Sequence, residues 1–219
     1  MTLEADYGEI CRYLGYRRDT PPDSDMEQTI RACARRLEEA LDLDALQDAA
    51  GGYLPDGALE LGEVRVESKS LSRNLKGCER VMFFAATLGV EADRLIARAT
   101  AVRMSEAVIL QAAAASLIEV CCDNACEELR LEAEKEGWYL RPRFSPGYGD
   151  FPITFQRPLL EALEAPKRIG LTATGAMMLT PTKSVTAVVG LSPDGRYARP
   201  GGCGDCGSCP RTPCPYRLE

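Results

Sequence analysis

Residues Arg80-Val81-Met82-Phe83-Phe84-Ala85-Ala86-Thr87 form a nearly continuous apolar run in the middle of the chain. A strand that is covered on both faces needs apolar side chains at successive positions, so this run predicts a central strand of a sheet. Gly89 then permits a turn, and apolar residues at helical spacing from Ala92 to Ala99 predict a helix directly after it. The stretch therefore predicts a fold that combines a sheet with packed helices.

Upstream of this strand, the sequence predicts a helix and a second strand. Ser24-Asp25-Met26-Glu27 has the form of a capping box, and apolar residues at helical spacing follow it, which predicts a helix over about residues 25–48. Gly51-Gly52 is expected to end that helix. Apolar and polar residues alternate over residues 61–71, as they do in a half-exposed strand.

Downstream, Met104 to Lys135 can form one long helix, whose alanine-rich middle would pack closely against a sheet. A short helix is predicted over about residues 156–163. Residues 184–191 are rich in β-branched side chains and predict another strand. Strands and helices of this kind, in this order, predict an α+β fold.

The composition excludes some classes of protein. The chain has 219 residues, 45% hydrophobic and 27% charged, and a net charge of −7. Residues 1–60 carry six Lys or Arg and fourteen Asp or Glu. This acidity argues against non-specific nucleic-acid binding. We expect no membrane association and a cytoplasmic location, because we see neither an apolar run of about 18 residues nor a secretory signal.

The chain contains no histidine and ten cysteines. The absence of histidine excludes histidine-based acid–base catalysis and every imidazole metal site. Without a secretion signal, the cysteines are expected to be reduced or bound to metal. Six of them are scattered among apolar residues, and most are predicted to fill the core: Cys11, Cys33, Cys78, Cys121, Cys122 and Cys126.

Residues 141–152, Arg-Pro-Arg-Phe-Ser-Pro-Gly-Tyr-Gly-Asp-Phe-Pro, are suited to ligand binding. The prolines prevent a regular helix and stiffen the chain, while Gly147 and Gly149 let the main chain approach a bound molecule closely. Arg143 can hold a carboxylate with two parallel hydrogen bonds. A rigid surface turn between two elements would use the same residue types.

Glu119 lies between Ile118 and Val120 in a helical segment that otherwise looks buried. A buried carboxylate needs a partner, which a ligand amine or Arg143 could supply. Alternatively, Glu119 is an ordinary exposed residue on one face of the helix.

Cys203, Cys206, Cys209 and Cys214 lie within twelve residues at the end of the chain. Four thiols in a glycine- and proline-rich segment can surround one centre, and two successive two-residue gaps are typical of a 4Fe-4S cluster. A tetrahedral zinc site is the main alternative, and a redox-active set of thiols is a third.

The order of elements, the loop 143–152, the segment 178–197 and Glu119 together resemble the activation (reactivation) domain of vitamin B12-dependent methionine synthase. They resemble in particular the free-standing version of that domain, over about residues 10–198. The resemblance implies an α+β fold with a twisted, mainly antiparallel sheet packed with helices. We accordingly expect an adenosylmethionine-binding activation domain at 1–198 and a cysteine-rich, metal-binding extension at 199–219.

The resemblance also implies a function and a set of binding residues. Domains of this family bind S-adenosylmethionine and take part in the reductive methylation of cob(II)alamin on a corrinoid protein. The residues that match the family's binding positions are Glu119, Arg143, Ser145, Pro146, Gly147, Tyr148 and Tyr197. Residues 149–151, Gly-Asp-Phe, depart from the family's pattern, and a single tyrosine stands at 196–197 where some members have two.

No catalytic residue is expected, because methyl transfer from a sulfonium to cob(I)alamin requires positioning rather than proton transfer. The expected partners are a cobalamin-binding methionine synthase or another corrinoid protein and a flavodoxin- or ferredoxin-type electron donor. An iron–sulfur cluster in the cysteine tail could supply the electron instead. The alternative function is a non-catalytic adaptor that binds iron–sulfur or zinc and transfers electrons to a corrinoid enzyme.

Overall fold

The structure is a computed structural model that describes residues 4–17, 19–41, 44–49, 52–53, 58–61 and 63–195. Its helices are α1 (Tyr7–Tyr13), α2 (Ser24–Glu38), α3 (Lys69–Asn74), α4 (Gly89–Val102), α5 (Met104–Lys135), α6 (Gln156–Ala162) and α7 (Ala165–Arg168). Its strands are β1 (Asp44–Ala49), β2 (Gly52–Tyr53), β3 (Ala58–Leu61), β4 (Val64–Glu67), β5 (Arg80–Thr87), β6 (Tyr139–Leu140), β7 (Thr172–Ala173), β8 (Leu179–Thr180) and β9 (Ser184–Ser192). The predicted α+β class and mainly antiparallel pairing are confirmed.

Strand β5 has the central position that its apolar run predicts. The sheet that contains it has the order β1-β5-β9-β6. Glu79 N donates to Leu191 O at one end of β5, and Leu88 N donates to Lys183 O at the other, so β5 and β9 are antiparallel. Strand β6 pairs antiparallel with β9 on its other side. Phe83 to Thr87 are all buried, as expected for a strand covered on both faces.

The described residues form two compact units that alternate along the chain. One contains the segments up to residue 47, 84–126 and 156–186, and the other contains 48–83, 127–155 and the segment from 187. Strands β5 and β9 and helix α5 contribute residues to both units.

The prediction of a helix over about residues 25–48 is correct at its start to within one residue and wrong at its end. Asp23, and not Ser24, caps α2, because its carboxylate accepts a hydrogen bond from Met26 N. The helix ends at Glu38, and residues 44–49 form strand β1. Apolar and acidic residues alternate over 41–44, a period that favours extended chain, and aspartate is a poor helix former. Gly51, the expected end of the helix, lies outside the described residues.

The predicted strand over residues 61–71 is only partly correct. Strands β3 and β4 form an antiparallel hairpin in which Leu61 pairs with Val64, and α3 begins at Lys69. The switch to helix occurs at Ser68, whose hydroxyl accepts a hydrogen bond from Leu71 N as a helix N-cap.

Helix α5 begins at Met104 and ends at Lys135, as predicted. Ala112, Ala113 and Ala114 are buried, which agrees with close packing of its alanine-rich middle. By length and composition this helix could cross a membrane, since an 18-residue window has a mean hydropathy of 1.5. The prediction that the chain contains no apolar run of about 18 residues is therefore wrong. However, 61% of that window is buried within the protein, as in a core helix.

Candidate functional site

The loop over residues 141–152 begins where strand β6 ends and continues alongside β9. Arg141 N donates to Gly190 O at 2.8 Å. Phe144 and Val188 then exchange two backbone hydrogen bonds of 2.9 Å each, an isolated bridge beyond the end of β6. These bonds fix the first part of the loop against the edge of the sheet.

Helix α3 holds the same part of the loop through Asn74, its last residue. Arg141 Nε donates to Asn74 O at 2.6 Å, and Asn74 Nδ2 donates to Pro142 O at 3.2 Å. Arg141 is therefore a structural residue here, whereas Arg143, two residues further on, is half-buried and belongs to the part of the loop that follows.

The second part of the loop closes on itself through turns. Tyr148 N donates to Ser145 O, Gly147 N donates to Phe151 O and Phe151 N donates to Tyr148 O, at 2.9–3.2 Å. Gly147 and Gly149 have φ angles of +95° and +56°, which residues other than glycine rarely adopt. The sequence-based argument for glycine at these positions therefore holds.

Asp150 connects this tight turn to the start of helix α3. Its carboxylate accepts hydrogen bonds from Ser68 Oγ at 2.6 Å, Lys69 N at 2.8 Å and Ser70 N at 2.9 Å. The Ser68 hydroxyl, followed by the two backbone N–H groups, holds the pKa of the Asp150 carboxyl well below its usual range. Sequence reasoning missed this role because the partners lie about 80 residues earlier in the chain.

Aromatic side chains of the loop pack against one another and against strand β5. Phe151 and Phe155 are buried, with ring centroids 5.3 Å apart, and Phe155 meets Phe83 of β5 edge-on at 6.0 Å. Phe144 stacks on Phe151 at 6.2 Å. The loop is thus attached to the core of its unit by its own side chains.

The predicted binding residues of the loop differ in exposure. Pro146 is buried, Arg143 and Ser145 are half-buried, and Gly147 is exposed. Tyr148 is 65% exposed, although its ring contacts Phe144 at a centroid distance of 6.2 Å. An exposed aromatic ring, an arginine and an exposed main chain in one loop can form stacking, ionic and backbone contacts with a ligand.

Glu119 is exposed on helix α5, while Ile118 before it is buried. The structure thus favours the second of the two interpretations from sequence, an exposed glutamate on one helix face. Glu119 belongs to the unit that contains residues 84–126, and the loop belongs to the other. Its pairing with Arg143 or with a ligand amine stays a prediction.

The remaining predicted site residues lie outside the described residues: Tyr197, Cys203, Cys206, Cys209 and Cys214. Within the described part of the chain, no group of three or more cysteines or carboxylates is arranged to hold a metal ion. Of the scattered cysteines, Cys33, Cys78, Cys121 and Cys122 are buried, as predicted for core residues.

The chain has an α+β fold that is similar to the fold of a solved reactivation domain. The similarity is to the crystal structure of a MetH reactivation domain bound to AdoHcy, with a TM-score of 0.55 and 19% sequence identity. The match covers 78% of this chain and 63% of that chain, so less than two thirds of the solved domain has a counterpart here. At this identity, the likeness establishes the fold alone.

Thirteen chains of solved structures match this one in fold. No protein-family model and no curated protein sequence matches the chain.

Proposed function

We propose that this chain binds S-adenosylmethionine on the loop 141–152 and assists the reductive methylation of a corrinoid partner, such as a cobalamin-binding methionine synthase. The observation that carries the proposal is the fold, which the chain shares with a MetH reactivation domain that binds AdoHcy. The loop geometry supports it. Gly147 and Tyr148 are exposed in the turn that backbone hydrogen bonds close between Ser145 and Phe151, and Arg143 lies two residues before that turn.

Each residue has a distinct part in the proposal. The methionine portion of the ligand carries a carboxylate, for which Arg143 is the complementary charge. Main-chain groups of Ser145, Pro146 and Gly147 contact the rest of the ligand, and Tyr148 offers an aromatic face. Tyr197 completes the proposed set of ligand-binding residues.

The reaction asks this chain for positioning and exclusion of water. A corrinoid carried by the partner and reduced by one electron would supply the nucleophile that accepts the methyl group. The bond between the methyl carbon and the sulfonium sulfur would break, and S-adenosylhomocysteine would be the leaving group. A flavodoxin- or ferredoxin-type protein, or a cluster in the cysteine tail, would supply the electron.

Titration of the chain with S-adenosylmethionine tests the proposal. Binding should be saturable, and Arg143→Ala should weaken it by about 2 kcal/mol, or roughly thirtyfold in Kd, because the ligand carboxylate loses its charged partner. Arg73→Ala is the matched control. It removes an exposed arginine from α3 in the same unit and should leave the affinity unchanged. A chain that binds neither S-adenosylmethionine nor S-adenosylhomocysteine would not have this function.

The density of cysteines at 203–214 favours a second candidate, a metal-binding electron-transfer adaptor for a corrinoid enzyme. The two candidates give different results in the same experiment. An adaptor would carry iron or zinc but would not bind the sulfonium ligand.

A further inference from the structure

Asp150 lies at a departure from the family's loop pattern, and the fold gives it a specific set of contacts. Its Oδ1 atom accepts hydrogen bonds from Ser68 Oγ and Ser70 N, and its Oδ2 atom accepts one from Lys69 N. Ser68 in turn caps α3 by accepting a hydrogen bond from Leu71 N. One carboxylate thus binds three consecutive residues at the start of a helix.

The residue before Asp150 brings the two segments into direct contact. A Cβ atom at Gly149 would overlap Ser70 Oγ and lie 2.9 Å from Ser70 Cβ. A separation this short between the main chain at 149 and the Ser70 side chain is open only to glycine. The loop and the start of α3 are therefore in direct van der Waals contact at these two residues.

These contacts hold one side of the turn that carries Tyr148. The backbone bond from Gly147 N to Phe151 O closes the turn, with Asp150 inside it. On the earlier side, Phe144 is fixed by its two backbone bonds to Val188. Between these two anchors lie the half-buried Ser145 and the exposed Gly147 and Tyr148, while Arg143 directly precedes the first anchor.

We propose that Asp150 is a positioning residue for the sulfonium ligand. By fixing the turn on helix α3, it presents Gly147 and Tyr148 in the geometry that the ligand requires. This inference rests on the proposed function, since it concerns how that same site is organised. Because the turn is already ordered without ligand, binding does not have to pay for its ordering.

The charge of Asp150 suits this role. Its three donors stabilise the ionised form, so the anchor is intact throughout the neutral pH range. A negative charge at the start of a helix is also stabilised by the helix dipole.

The test compares Asp150→Ala with Asp23→Ala in the full chain. Asp23 also caps a helix, because its carboxylate accepts a hydrogen bond from Met26 N, but it lies in the other unit. Both changes remove a carboxylate that accepts backbone hydrogen bonds at the start of a helix, so both should lower the free energy of unfolding. Only Asp150→Ala should weaken S-adenosylmethionine binding, by roughly tenfold.

Amide hydrogen exchange without ligand gives a readout that does not depend on affinity. In Asp150→Ala, the amides of Gly147, Tyr148 and Phe151 should exchange faster, because their hydrogen bonds lie within the released turn. The amide of Phe144, which bonds to β9, should keep its protection. Asp150→Asn retains Oδ1 but turns an N–H₂ group toward Lys69 N, so its effect should be intermediate and would still test the anchor if the alanine variant failed to fold.

The possible results separate the two proposals. If Arg143→Ala weakens binding and Asp150→Ala binds as tightly as the unmodified chain, the positioning role is wrong. If the turn amides exchange equally in Asp150→Ala and in the unmodified chain, the anchor itself is wrong. If the unmodified chain does not bind the ligand at all, the proposed function fails, whatever the exchange data show.

Discussion

At the scale of single residues, the loop packs so closely against α3 that one additional carbon atom at Gly149 would not fit. Gly149 combines a φ of +56° with a position against Ser70 that leaves no room for a Cβ atom. Gly137 has a similar φ of +77°, but nothing lies within 4 Å of its Cβ position. An alanine at either position would have an unfavourable backbone conformation, but only at Gly149 would it also overlap with a neighbouring side chain.

We therefore expect Gly149→Ala to destabilise the protein more than Gly137→Ala does. A positive φ costs an alanine roughly 1–2 kcal/mol, and the overlap with Ser70 should add roughly another 1–3 kcal/mol. The measurement is the free energy of unfolding in urea, with Gly137→Ala as the control for the backbone term. Equal losses in the two variants would show that the loop and α3 are not closely packed.

The sequence predicted some of these residues and could not predict others. Prolines and glycines restrict the backbone locally, so the irregular course of residues 141–152 could be read from composition. The bonds from Asp150 to Ser68, Lys69 and Ser70 join segments about 80 residues apart, and no local pattern encodes them. The exposure of Glu119 depends on how α5 is rotated, which the period of one helix cannot fix.

At the scale of elements, intrinsic preference predicted α5 and β5 well and α2 poorly. Helix α5 has 32 residues without a proline or glycine, so local preference and packing agree along its whole length. The end of α2 was missed because the acidic, leucine-rich segment after Glu38 is compatible with both helix and strand. Its pairing in the sheet beside β5, a long-range contact, decided between them.

The turn after α3 packs against β9 at a position where only glycine fits. A Cβ atom at Gly190 would lie 2.5 Å from Cys78 Sγ and 2.7 Å from Leu75 Cδ2. Cys78 is 7% exposed, and burial raises the pKa of its thiol to about 11. The contact between these two elements is therefore linked to the protonation of one thiol.

The stability of the protein should consequently fall at alkaline pH. An unfolded thiol ionises near pH 8.5, so Cys78 contributes its full stabilisation below that pH and loses it as the pH rises through about 11. Urea unfolding between pH 7 and pH 11 should show this decline, and Cys78→Ala should reduce its slope. An identical slope in the variant would mean that Cys78 does not cause the decline.

At the scale of the whole molecule, the cysteine-rich extension is predicted to be separable from the ligand-binding domain. Replacing Cys203, Cys206, Cys209 and Cys214 together by serine should abolish metal binding. The unfolding temperature of residues 1–198 and the affinity for S-adenosylmethionine should change little, because the loop contacts described above involve residues before 192.

Metal analysis and visible absorption of anaerobically purified protein provide the measurement. A 4Fe-4S cluster would give a broad absorption in the blue, and zinc would leave the protein colourless. If the protein binds a cluster, Cys206→Ser should abolish reduction of the corrinoid but spare ligand binding. Loss of S-adenosylmethionine binding in the fourfold variant would show that the extension belongs to the site.

The alternation of the two compact units along the chain has a consequence for how the protein is made. Because each unit is assembled from three separate segments, neither can be complete when only the first half of the polypeptide has left the ribosome. During synthesis, the early segments must avoid non-native contacts until the residues beyond 180 have been made. Neither unit can be moved to another protein as one continuous piece of coding sequence, so the two must be inherited together.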